Sequence, residues 1–202
     1  DGFKGNSHEI YINNTRITEH PERSYLDAEI KQLPIQDYVR EGKNTIAIKI
    51  SVAGKTDGLL DLLKITGSFE LKKEASSKGN SYVMVRPGDR KAAGSWTKQG
   101  YPFFSGTGEY SQTIRVDRAY LGKALRLHIS CGKDIAEVLV NGEPAGLRLW
   151  CPYELDITPF IKEGENTVVI RITNTLINIL EAVEQDSGLF DAYILPYDKY
   201  EF

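Results

Sequence analysis

Apolar and polar residues alternate along this chain in short runs: "HEIYI" (8–12), "NTIAIKI" (44–50), "SYVMV" (81–85), "EYSQTIRV" (109–116), "ALRLHIS" (124–130), "AEVLV" (136–140) and "NTVVIRI" (166–172). A period of two, carried by β-branched and aromatic residues, predicts strands with one packed face and one wet face. Turn residues separate the runs: Asn13-Asn14, Gly42-Lys43-Asn44, Gly106-Thr107-Gly108, Asn141-Gly142 and Gly164-Glu165-Asn166. Many short strands punctuated this way predict an all-β antiparallel sandwich or jelly roll. The helical signal is weak. It amounts to about two turns in "LINILEAVEQ" (176–185) and single turns before glycine in "IQDYVREG" (35–42) and "ITPFIKEG" (157–164).

The pattern repeats. Ile10-Tyr11-Ile12-Asn13-Asn14 matches Val138-Leu139-Val140-Asn141-Gly142. The run from Leu33 to Thr45 matches the run from Leu155 to Thr167, and both end in Gly-x-Asn-Thr. Ile46, Ile48 and Ile50 then fall in register with Val168, Ile170 and Ile172, and Asp57-Gly58-Leu59-Leu60-Asp61 echoes Ser187-Gly188-Leu189-Phe190-Asp191. Four blocks in one order imply a duplicated unit. Asn-Gly after an alternating strand makes a tight hairpin, because both turn residues need positive φ; Asn14 stands in for the glycine in the first copy.

The copies are unequal. Two or three further strands precede the second, whereas seven residues precede "HEIYI" in the first. The expectation is a partial sandwich over residues 1–75 and a complete one over 76–202. The first would begin inside a domain or complete itself against a neighbour, since a half-sandwich exposes edges and apolar faces. Residues 72–81, "KKEASSKGNS", read as a linker or exposed loop.

Bulk properties narrow the field. In 202 residues, 41% are hydrophobic, enough for a core, and the formal net charge is −3. That balance, with basic residues scattered, argues against nucleic acid or an anionic membrane surface as partner. No stretch is apolar enough to span a bilayer, and "DGFKGNS" is no signal peptide. Cys131 and Cys151 are too few for a disulfide scaffold or a cysteine-rich zinc site. They read as two buried free thiols, with pairing in an oxidising compartment as the alternative.

Trp96 with "QGYPFFSGTGEY", then "AEVLVNGEPAG", "LWCPYELDIT" and "KEGENTVVIRITNTLIN" together resemble the galactose-binding-like (family 2 sugar-binding-type) jelly roll of bacterial glycoside hydrolases. The resemblance is nearest to the C-terminal sandwich of α-L-rhamnosidase-like enzymes, and the stretches are also similar to the sugar-binding domain of β-galactosidase-type enzymes. It covers residues 96–190, and residues 8–71 as a degenerate half-copy; the loop after "TNTLIN" departs from the family form. It implies an accessory sandwich beside a separate catalytic barrel, in an extracytoplasmic (periplasmic or secreted) polysaccharide-degrading enzyme. Its partners would be an oligo- or polysaccharide and that catalytic domain. It also allows a structural calcium, although no calcium-loop pattern is readable and no other cofactor is expected.

Chemistry inside the chain has little to stand on. Among 28 acidic residues none forms a recognisable acid/base pair, and Asp156, Glu163, Asp186 and Asp191 read as turn formers. Ser105 lacks a nucleophile elbow, and His8, His20 and His128 lack metal-ligand spacing. No catalytic residue is therefore expected here. Sandwiches bind sugars through aromatic faces and a few polar groups, which points to Trp96, Tyr101, Phe104, Trp150 and Tyr153, with Arg148 or Glu154 supplying hydrogen bonds. The competing reading of each aromatic is that it plugs the sandwich. On that reading the whole chain is a structural inter-domain or oligomerisation module without sugar contact.

Overall fold

Each of the seven alternating runs is a strand in the computed structural model, which describes residues 3–24, 30–76, 79–88 and 92–197. The chain divides between Gly67 and Ser68 into two compact units. Every strand pairing among the described residues is antiparallel, in keeping with an all-β sandwich. Among the described residues no helix is long and apolar enough to cross a membrane.

The first unit holds β1 (Phe3–Lys4), β2 (Ser7–Ile12), β3 (Thr15–Arg16), β4 (Glu22–Arg23), β5 (Lys31–Gln32), β6 (Ile46–Ser51) and β7 (Gly58–Leu59). Its main sheet runs β3-β2-β6, and β1 pairs with β7 and β4 with β5. Ile10 lies opposite Ile48 and Ile12 opposite Ile46, so one face is apolar. Glu9 opposite Lys49 marks the other face as polar. Ile12 and Ile17 are the only buried large hydrophobics described here.

The second unit contains β8 (Glu70–Ser76), β9 (Gly79–Val85), β10 (Thr107–Val116), β11 (Ala124–Ser130), β12 (Ile135–Val140), β13 (Glu143–Arg148), β14 (Glu154–Asp156), β15 (Gly164–Thr173) and β16 (Asp191–Tyr197). A short helix, α1 (Ile177–Glu181), follows β15 and occupies half of the stretch read as helical. One sheet runs β10-β15-β12-β13, the other β14-β11-β16. Their inner residues form one core: Ala136, Val138 and Val140 from β12, Ile170 and Ile172 from β15, Leu127 from β11. Ile172 is fully buried, and side chains of that size contribute about 1.5–3 kcal/mol each on burial.

The stretch read as a linker or exposed loop, residues 72–81, is strand where it is described: residues 72–76 and 79–81 belong to the β8–β9 hairpin, paired from Glu70 opposite Val85 to Ser76 opposite Gly79. The two cysteines also differ from expectation. Cys131 is a buried free thiol, but Cys151 is exposed, because it sits on the loop after β13 rather than on a strand face.

Both turns of the repeat have the predicted backbone. Asn13 and Asn14 adopt φ of 50° and 68°, Asn141 and Gly142 of 54° and 84°. Side-chain bonding goes further than the pattern suggested. Asn141 donates to the Phe160 carbonyl at 2.9 Å and accepts from the Thr167 N–H at 3.1 Å. Asn13 does the same with Tyr38 at 3.1 Å and Thr45 at 3.1 Å. Both asparagines thus tie their hairpin to the loop that enters the next strand.

Candidate functional site

Alternation on β11 decides which residues face solvent on the smaller sheet. Leu125, Leu127 and Ile129 point into the core, which sends Arg126 and His128 outward. Pairing brings Asp156 and Glu154 of β14 beside them on one side. Leu195 and Tyr193 of β16 flank them on the other.

A cleft of about 430 Å³ opens on this outer face, lined by Arg126, Arg148, Trp150, Pro152, Glu154, Asp156 and Tyr197. Glu154 is its hub. Its carboxylate accepts from the Arg126 guanidinium at 3.1 Å and lies 3.3 Å from His128 Nδ1, while its backbone carbonyl accepts from Arg148 Nε at 2.8 Å. Arg148 Nη1 also donates to the Leu147 carbonyl at 3.0 Å. The Arg126 guanidinium sits 4.1 Å over the Tyr197 ring, and His128 stacks on Tyr193 at 4.9 Å. Asp156 accepts from the Thr158 N–H at 3.0 Å, which starts the turn after β14. Trp150 lines the cleft with 72% of its surface exposed, next in sequence to exposed Leu149. The cleft therefore presents one open aromatic face beside two guanidinium groups and two carboxylates already held in fixed positions.

The seven residues singled out from sequence do not form one site. Arg148, Trp150 and Glu154 meet in this cleft. Tyr153 does not: it is 7% exposed and donates its hydroxyl to the Asp134 carbonyl at 2.7 Å inside the core. Burial, with the nearby Cys131 adding to it, pushes its phenol up to about 12. Trp96 is 5% exposed and donates Nε1–H to the Tyr110 hydroxyl at 2.5 Å. A Cβ at Gly108 would lie 2.5 Å from its ring, so the glycine makes room for the indole. Phe104 packs edge-on against Trp96 at 5.2 Å and near Tyr101 at 6.1 Å. These three line a different hollow of about 1370 Å³, along the open flank between β10 and β16. Its walls include core residues Leu125, Leu127, Val168 and Ile170. For Trp96 and Tyr153 the geometry is that of plugs.

The sequence pattern does not single out Arg126 or Tyr197, and it marks Asp156 only as a turn former. The signal was present for Arg126: in "ALRLHIS" the polar residues occupy every second position, which marks them as one outward face. Tyr197 had no comparable signal, because only pairing brings β16 beside β11.

Asp134 is buried at 1% exposure, with Oδ2 accepting from Ser187 Oγ at 2.7 Å and the Gly188 N–H at 2.8 Å. Its Oδ1 has no partner among the described residues. The groups aimed at this carboxyl are hydrogen-bond donors, which suit a carboxyl group and not a cation. Among the described residues no three His, Cys, Asp or Glu side chains group as a metal site. The calcium allowed by the family resemblance finds no fitting donor set at Asp134.

No protein-family model matches the chain. A protein of Formosa agariphila provisionally named a beta-glucuronidase is 35% identical over 92 residues, which is 45% of this chain and 8% of that protein. A beta-galactosidase of Thermoanaerobacter pseudethanolicus is 36% identical over 67 residues, 31% of this chain and 9% of the relative. Among solved structures, a rhamnosidase from Novosphingobium sp. PP1Y aligns with 22% identity and a TM-score of 0.37, over 88% of this chain and 17% of the other. A glycosyl hydrolase family 2 member from Bacteroides cellulosilyticus aligns with 20% identity and a TM-score of 0.39, over 62% of this chain and 18% of the other. The chain is related to part of glycoside hydrolases and spans less than a tenth of the length of these two curated relatives.

Proposed function

We propose that this chain is a non-catalytic carbohydrate-recognition module of a secreted bacterial glycoside hydrolase, and that it holds sugar in the cleft beside Trp150. The observation that carries this reading is Trp150 itself: 72% exposed and adjoining a cleft lined by Arg126, Arg148, Glu154 and Asp156. A pyranose has an apolar face of C–H bonds and a rim of hydroxyls. Its face would cover the indole, and its rim would meet guanidinium donors and carboxylate acceptors whose positions are already fixed. Preorganisation of this kind lowers the ordering cost of binding. The names of the relatives, a glucuronidase and a galactosidase, favour a sugar of the parent's own substrate as the ligand. An extracytoplasmic setting belongs to the same proposal, since polysaccharide is met outside the cell.

The carboxylates of the cleft serve binding rather than proton transfer. Glu154 is ion-paired to Arg126, and Asp156 is engaged in a turn, so neither stands free beside an open position for a water nucleophile.

A second reading has its own observation. Leu147, Leu149 and Trp150, close together in sequence, are each exposed, and exposed apolar side chains also serve docking against neighbouring domains. A glycan array probed with the chain and with Trp150→Ala separates the two. The sugar reading expects weak retention, with Kd near about 1 mM (roughly 4 kcal/mol), lost in the variant. Absence of binding to any glycan would favour the structural reading.

A further inference from the structure

The second unit shows what the first one lacks. Residue for residue, β2, β3 and β6 correspond to β12, β13 and β15: Ile12 opposite Ile46 matches Val140 opposite Val168, and Ile10 opposite Ile48 matches Val138 opposite Ile170. In the second unit β15 carries β10 along its outer edge over ten residue pairs, from Thr107 opposite Thr173 to Val116 opposite Gly164. Its inner face is covered by the sheet centred on β11. Val168, Ile170 and Ile172 are 6%, 5% and 0% exposed as a result.

In the first unit β6 pairs only with β2 among the described residues. Ile46 is 40% exposed, and Ile48 and Ile50 are half-buried. The counterpart of β16 is also without a partner strand among the described residues. Leu62 N–H bonds the Asp61 carboxylate at 2.7 Å, as Ala192 N–H bonds Asp191 at 2.9 Å, so the two segments start alike. Beyond that point β16 is a strand paired to β11, whereas residues 61–67 form no strand and leave Leu62, Leu63 and Ile65 exposed.

We propose that the first unit is a docking surface for a two-stranded β segment of the β10–β11 type, supplied by the parent polypeptide. One strand would pair along the outer edge of β6. The other would pair with residues 61–65 and cover Ile46, Ile48 and Ile50. The occupant's chemistry follows from the covered copy: two antiparallel stretches of about seven to ten residues, apolar at every second position, like Ile114 on β10 and Leu125, Leu127 and Ile129 on β11. An exposed edge beside an apolar face is otherwise a site of uncontrolled pairing. This inference is independent of any sugar bound at Trp150.

Hydrogen exchange on the unmodified chain and on a chimera tests it. In the unmodified chain, amides of residues 46–51 and 61–65 exchange at least about a hundredfold faster than those of 164–173. Fusing a second copy of residues 104–133 ahead of the chain slows both segments by about a hundredfold. The same fusion carrying Ile114→Asp and Leu127→Asp does not. Equal, slow exchange of all three segments in a monomeric unmodified chain would overturn the proposal. So would a fused segment that leaves residues 46–51 and 61–65 unprotected. A stable dimer of the unmodified chain that protects them would also overturn it, by naming a second copy as the occupant.

Discussion

Asn141 donates its side-chain N–H to the Asn166 side-chain carbonyl at 2.9 Å, and Asn13 makes the same bond to Asn44 at 2.7 Å. Asn166 also accepts from the Lys162 N–H at 2.9 Å and donates to the carbonyls of Lys162 at 2.8 Å and Gly164 at 3.1 Å. Asn44 repeats those bonds with Arg40 and Gly42 at 2.9, 2.7 and 3.1 Å. This pair of asparagines is the joint of the repeated unit. It closes the loop before β6 or β15 and locks it to the hairpin between the two neighbouring strands.

The joint matters more where it is buried. Asn166 is 1% exposed, and Asn44 is only partly covered. Asn166→Ala leaves a backbone N–H and two carbonyls without partners, at a cost of roughly 2–4 kcal/mol. Asn44→Ala, with water able to replace the lost bonds, costs about 1 kcal/mol. Urea unfolding of both variants checks the order; an equal loss at the two positions would contradict it.

The two tryptophans are expected to behave oppositely in a melting experiment. Trp96→Ala removes a buried ring and its hydrogen bond to the Tyr110 hydroxyl, costing roughly 3–5 kcal/mol. Trp150→Ala stays within about 0.5 kcal/mol of the parent, because most of its surface is already in water. Comparable destabilisation by both would mean that the loop carrying Trp150 is packed.

Asp134 gives the fold a pH signature. Burial raises its carboxyl above the ordinary value, and the bonds from Gly188 and Ser187 pull it only part of the way back. The folded state therefore keeps a proton at pH values where the unfolded chain has lost it. That contribution to stability is complete below the ordinary carboxylate value of 3.8 and is lost as pH rises through the raised one. Asp134→Asn cannot titrate. The stability of Asp134→Asn relative to the parent rises as the pH is raised above the ordinary carboxylate value of 3.8, and the other carboxylates cancel in this difference. A pH-independent difference from urea melts would refute the role of burial here.

Thiol labelling reads the two cysteines separately. Cys151 is exposed and reacts with a disulfide reagent in the native state. Cys131 is fully buried, and burial, with the Asp134 charge adding to it, pushes its thiol up to about 11. It reacts only on unfolding. Two fast thiols in the native chain would show that the core around Tyr153 opens.

The strands were legible because β12 and β15 bury one face, and burial on one face writes a period of two into the sequence. Of the β8–β9 hairpin, "SYVMV" in β9 was legible but β8 was not: Lys72, Lys73 and Glu74 are all exposed, so no alternation survives there. The repeat was readable from the Asn and Gly positions, since positive φ and side-chain closure of a loop admit few residue types. The site was only half readable. Trp96 and Trp150 look equivalent in sequence, each near an aromatic and a proline, and only packing separates a plug from an open face. Arg126 and Tyr197 are 71 positions apart by number and meet through strand pairing alone.

The chain has two tryptophans, so its indole N–H groups give two resonances. Titration with oligosaccharides of glucuronic acid, galactose and rhamnose, followed by NMR on the indole signals, tests sugar recognition at the cleft most directly. The Trp150 signal is predicted to shift and saturate with at least one sugar, while the Trp96 signal, bonded to Tyr110, stays in place. A fixed Trp150 signal with every sugar, or a saturating shift at Trp96 instead, would contradict the account.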